Sequence, residues 1–174
     1  MVRTSILRAG DSARFLLVAS LLMAASAMPL SAQGSQAGEG VRVGISFGGI
    51  ATFGVTVEYF DGNESLDLTV GTWSFRDLSV ALVARHYFGG GEALPFVGGG
   101  LWLVAARPED GRAGFAAVLH APLGVDLQPG HRHAVGLVLN INRALLVRRT
   151  DPDDDLPLNR RLVPLPGVYY RWAR

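Results

Sequence analysis

From Val41 onward, apolar residues alternate with small or polar ones, and no segment carries the 3.6-residue period of an amphipathic helix. In the first segment Val41, Val43, Ile45 and Phe47 share one face, against Arg42, Gly44, Ser46 and Gly48. The second sets Phe53, Val55, Val57 and Tyr59 against Gly54, Thr56 and Glu58, and the third sets Leu66, Leu68 and Val70 against Asp67, Thr69 and Gly71. In the fourth, Leu78, Val80, Leu82, Ala84 and Phe88 oppose Ser79, Ala81, Arg85 and Tyr87. The fifth, PFVGGGLWLVAA from Pro95 to Ala106, is strand-like with a less clean alternation. In the sixth, Phe115, Ala117, Leu119, Leu123 and Val125 oppose Ala116, His120, Gly124 and Asp126. The seventh sets Val135, Leu137, Leu139 and Ile141 against Gly136, Asn140 and Asn142, and the last sets Val168, Tyr170 and Trp172 against Gly167, Tyr169 and Arg171. Turn residues punctuate the segments: DGNE at Asp61, GGGE at Gly89, PEDG at Pro108 and QPGH at Gln128. The pattern predicts an all-β, antiparallel up-and-down barrel of about eight strands. Because Pro164 and Pro166 cannot donate ladder hydrogen bonds, the final strand is expected to begin only near Gly167.

Alternation alone fits a soluble barrel or sandwich as well as a transmembrane one, so the content of the minority face decides. That face holds Arg42, Glu58, Asp67, Arg85, His120, Asp126, Asn140, Asn142 and Arg171 among many small residues, not the dense charge of a solvated surface. A narrow eight-stranded interior has room for this mixture, and enclosed charges must pair. Arg42, Arg85 and Arg171 match Glu58, Asp67 and Asp126 three for three. Segments of about nine to eleven residues suit a tilted membrane-crossing strand. The expectation is therefore a membrane barrel with an interior polar network of Arg42, Glu58, Asp67, Arg85, His120, Asp126, Asn140 and Arg171. The alternative is a secreted or periplasmic ligand-binding barrel.

Composition sharpens this. The 174 residues suffice for one domain, with 22 Gly, no Cys and a formal net charge of +1. Balanced charge argues against a nucleic-acid partner, and the lack of cysteine excludes disulfides and thiolate metal sites. Residues 1–33 read as a secretory signal peptide: Arg3, Arg8 and Arg14 precede the apolar run Phe15 to Ala27, followed by Pro29 and small residues up to Gln33. Residues 34–40 read as a flexible lead-in and 41–174 as the barrel domain, placed in the outer membrane of a Gram-negative cell. Even strand number puts both chain ends in the periplasm, so turns at Asp61, Gly89 and Gln128 are inner, and the long segments after Ala106 and Val147 are outer.

The phrases ARHYFGG at Ala84 and PFVGGGLWL at Pro95 are similar to strand–turn–strand phrases of small outer-membrane barrels, and about 130 residues resemble the OmpA/OmpX type. That resemblance implies outer-membrane lipid as surroundings and the barrel-insertion machinery as a partner during biogenesis. The family's last strand usually ends on an aromatic residue, whereas here Trp172 is followed by Ala173 and Arg174.

Catalytic chemistry finds little support. Lipid A deacylases carry a His closely followed by Ser and Asn on one strand, but His86 precedes Tyr87-Phe88 and His120 precedes Ala121-Pro122. His120 and Asp126 lie roughly 20 Å apart along a strand, too far for a dyad. His131 and His133, two apart, are weak evidence for a metal, and no cofactor is expected. In the longest outer loop, Asp151, Asp153, Asp154 and Asp155 lie between Arg148-Arg149 and Arg160-Arg161. A divalent-cation site, an arginine grip on lipopolysaccharide phosphates, and a hydrated loop of compensating charges are all open readings. The expectation is a non-enzymatic barrel with a structural or surface-interaction role. A lipid-modifying enzyme is the third alternative.

Overall fold

A computed structural model describes residues 39–106, 113–129, 132–149 and 161–173. The expected signal peptide, Arg160, His131 and the acidic run Asp151 to Asp155 lie outside the described residues. Eight antiparallel strands form a closed barrel in sequence order, each paired with its chain neighbour and β1 with β8. They are β1 Glu39–Gly48, β2 Ala51–Asp61, β3 Glu64–Thr72, β4 Asp77–Tyr87, β5 Ala93–Ala106, β6 Gly114–Leu127, β7 His133–Arg148 and β8 Val163–Ala173. β1 thus starts inside the stretch read as a lead-in.

Register fixes the geometry. Pairs lead from Arg42 through Glu58, Asp67, Val83, Gly100, His120 and Asn142 to Val163. Val163 lies ten positions from Ala173, the residue that pairs with Arg42. This stagger belongs to strands tilted by roughly 35–45°, enclosing a lumen that side chains fill.

Two expectations need correction. β8 begins at Val163, not near Gly167. The Pro166 carbonyl accepts the Gly49 N–H at 2.9 Å, so the ring nitrogens at Pro164 and Pro166 face the β1 side, where β1 has already ended at Gly48. A missing donor there interrupts no paired ladder. Strand length also departs from nine to eleven residues: β5 and β6 span 14 and β7 spans 16. These three strands form a taller wall on the side of the long outer connections, and Arg148 ends β7 instead of lying in a loop.

Opposite that wall, β1 and β2 join through Gly49 and Ile50, with positive φ at Gly48 (74°) and Gly49 (72°). Such a turn matches the twist of the flanking strands. It brings Ile50 over the lumen, where it is buried against Ala81, Val83, Trp102 and Val118.

Candidate functional site in the barrel lumen

Along the strands the outward positions are the apolar ones and remain exposed, as at Val57, Leu68, Leu82, Leu101, Leu119 and Leu137. The inward positions hold the polar groups. Arg42, Glu58, Asp67, His120, Asp126, Asn140 and Arg171 are buried, and the Arg85 side chain is 8 % exposed.

Six of these charges form one alternating chain. Asp126 and Glu58 each lie 3.6 Å from Arg42. Glu58 lies 3.0 Å from Arg171, Arg171 lies 2.8 Å from Asp67, and Asp67 lies 2.7 Å from Arg85. Each member but the two ends has partners on both sides, and the chain is neutral. Charges removed from water are tolerated only with compensation of this kind. Strand alternation positions them: all sit on inward positions in the half of the barrel nearer the three short turns.

Aromatic side chains complete this layer. Tyr87 donates to Glu58 Oε1 (2.6 Å) and accepts from Arg171 Nη1 (3.2 Å). The Arg171 guanidinium lies 4.0 Å from the Tyr169 ring centre, Arg85 4.8 Å from that of Phe96, and Arg42 4.3 Å from that of Phe60. Stacking of cations on rings adds attraction where water is excluded. Gly136 makes room for this layer, since a Cβ there would meet the Tyr169 ring.

Higher in the lumen the groups are neutral. Thr56 and Thr69 share a hydrogen bond of 2.8 Å. His120 Nδ1 and Asn142 Oδ1 lie 2.8 Å apart, and the Asn140 amide donates to the Leu165 carbonyl at 3.0 Å. At the top, Trp102 Nε1 donates to Ser79 Oγ (2.5 Å), and that hydroxyl donates to the Ile50 carbonyl (2.7 Å). This fastens the β1–β2 turn across the lumen to β4 and β5.

Tyr87, Tyr169, Phe96, Leu94, Trp102 and Ser79 were not singled out as interior residues with a role. For Tyr87, Tyr169 and Ser79 the inward parity was legible. Leu94 and Phe96 were hidden because their outward neighbours Pro95 and Val97 are apolar too.

Among the described residues, the side-chain partner of His120 is Asn142, and no serine or carboxylate bonds it. His133 bonds the Tyr170 hydroxyl at 2.6 Å on the outer surface. Among the described residues no cluster of His, Asp and Glu has the arrangement of a metal centre. Arg148 and Arg161 are exposed and Arg149 is half-buried, all near the barrel end opposite the three short turns.

The N-terminal β-barrel domain of Pseudomonas aeruginosa OprF superposes with a TM-score of 0.59 at 12% identity, over 80% of this chain and 99% of that one. This chain has the fold of a small eight-stranded OprF-like barrel. The likeness to such barrels expected from the sequence therefore holds at the level of the fold. No family model matches the chain, and no curated protein does.

Proposed function

We propose that this protein is a non-enzymatic barrel of the Gram-negative outer membrane, exported by its signal peptide, with a side-chain-filled lumen and a structural or surface-interaction role. One observation carries the reading: the exposed face of the barrel is apolar and the enclosed face is charged. A soluble barrel needs the reverse, because water would solvate the charges and the apolar side chains would form the core. Outward Val57, Leu68 and Leu82 are cross-strand neighbours, each 44–49 % exposed, and in lipid such a belt is at home. Aromatic Tyr59, Tyr170 and Trp172 lie outward near the short-turn end, with Phe53 and Trp73 near the other, in the manner of interfacial girdles. The ion-pair chain and the Ile50 cover leave no room for an aqueous channel, which favours a structural role over general permeation.

The lipid of the outer leaflet is the partner this placement supplies. Arg148, Arg149 and Arg161 at the rim, with Arg160 next to Arg161 in the sequence, suit bidentate contact with lipopolysaccharide phosphates. The insertion machinery is the expected partner during assembly. The lipocalin-like alternative is disfavoured by the same reversed faces.

Fractionation tests the proposal. The processed protein is expected in the outer-membrane pellet, resistant to carbonate and released by detergent, with heat-dependent gel mobility. Recovery in a soluble periplasmic extract would overturn it.

A further inference from the structure

Between the ion-pair chain and the Ile50 cover lies a cavity of about 40 Å3. Its walls include Ser46, Thr56, Thr69, Val83, Arg85 and Arg171, and no carboxylate lines it. The charges that border it are therefore both positive.

The distribution of hydrogen bonds reinforces that polarity. Asp67 Oδ2 receives both Arg85 Nη2 (2.7 Å) and Arg171 Nη2 (2.8 Å), so one carboxylate oxygen answers two guanidinium groups. Arg85 Nε and Nη1, Arg171 Nε and Ser46 Oγ are buried without a hydrogen-bond partner among the described residues, as are Glu58 Oε2, Asp67 Oδ1 and Asp126 Oδ1 of the same network, but of these only Arg85, Arg171 and Ser46 line the cavity. Arg171 is 1 % exposed. Thr56 and Thr69 bond each other, and in such a pair only one hydroxyl hydrogen is used, leaving the second available. Leaving charged donors unmatched in a buried site is costly.

We propose that this cavity binds one small monovalent anion of the halide class, held by Arg85, Arg171 and Ser46. An anion accepts from each of these donors and needs nothing in return, whereas a water must also find acceptors for its own hydrogens. The volume is sufficient for a single halide-sized ion. The inference rests on the lumen and stands whether or not the barrel lies in a membrane.

The test is to refold the mature barrel in detergent with sodium bromide and collect diffraction data at the bromine edge. An anomalous peak within hydrogen-bond distance of Arg85 and Ser46 supports the site. A lumen without anomalous signal overturns it, and so does a peak confined to the rim arginines, which would mean an adventitious ion only. In solution, the urea midpoint is expected to be higher in chloride or bromide than in gluconate at equal ionic strength. Equal midpoints count against the proposal. Ser46→Ala leaves the ion-pair chain intact and is expected to weaken halide affinity about tenfold; an undiminished halide effect in that variant would refute the assignment. Arg85→Gln is expected to abolish the effect, and should that variant fail to fold, Ser46→Ala decides.

Discussion

Replacing Arg171 with methionine tests the central claim about the lumen, that its charges are enclosed and mutually dependent. Arg171 is 1 % exposed and touches Glu58 at 3.0 Å, Asp67 at 2.8 Å and the Tyr87 hydroxyl at 3.2 Å. At an effective dielectric of about 20, each ion pair at that separation is worth roughly 5–6 kcal/mol of gross attraction. Most of this offsets desolvation, so the gross figure is not the cost of the substitution. What the variant loses is compensation for two carboxylates that stay buried, which in proteins costs about 3–5 kcal/mol. Glu58 keeps Arg42 at 3.6 Å and Asp67 keeps Arg85 at 2.7 Å, so about 4 kcal/mol is expected. Arg85→Leu should cost less, about 3 kcal/mol, because Asp67 then retains Arg171. Urea unfolding in lipid vesicles, followed by tryptophan fluorescence and by gel mobility without heating, measures both. A loss under about 1 kcal/mol for Arg171→Met is what a solvated, weakly coupled pair gives, and it would refute the enclosed network.

Other positions test other parts of the structure. Leu68 lies outward between Val57 and Leu82, and Leu68→Arg should destabilise the barrel in vesicles by about 2–4 kcal/mol; no change would mean that this face meets water. Gly136→Ala should lower the urea midpoint, because its new methyl group collides with Tyr169, which packs against Arg171; an unaltered midpoint would mean that Tyr169 moves aside freely. Phe75 has φ of 61° and is 88 % exposed, so Phe75→Gly should relieve strain and stabilise by about 1 kcal/mol. A loss of stability in that variant would show that the ring packs against something the isolated barrel presents.

The parts of the fold readable in advance share one property: they depend on which of two faces a residue occupies. Parity put Arg42, Glu58, Asp67, Arg85, Asp126 and Arg171 on one surface, and closing the sheet brings everything on that surface into one narrow space. The three-to-three charge match then told of pairing without saying who pairs with whom. That detail depends on stagger. Arg171 reaches Asp67, 104 residues earlier, only because the register climbs ten positions in one circuit, a quantity no single strand encodes. β5 was opaque for a different reason, since Leu94 and Phe96 inside and Pro95 and Val97 outside are all apolar. The upper end of β7 was missed because Leu145, Leu146 and Val147 are all exposed and break the alternation. Proline in β8 misled because its cost depends on whether a neighbouring strand is present at that height, which is a property of β1.

The tight connection at Gly49 connects these points. With two residues, Gly49 and Ile50, it is far shorter than the connections after Ala106 and Arg148 at the same end of the barrel. In the barrel, its shortness is what lets Ile50 reach inward and lie beneath the taller wall of β5 to β7. A longer loop would carry that residue out into solvent and leave Trp102 and Val118 uncovered. The early end of β1 leaves upper β8 unpaired on one side, and that is the stretch where Pro164 and Pro166 sit. A strand edge without donors there cannot recruit another strand. The short turn, the prolines and the buried isoleucine are thus one arrangement: an apolar cover above, a neutral ion-pair chain below, and a small polar cavity in between.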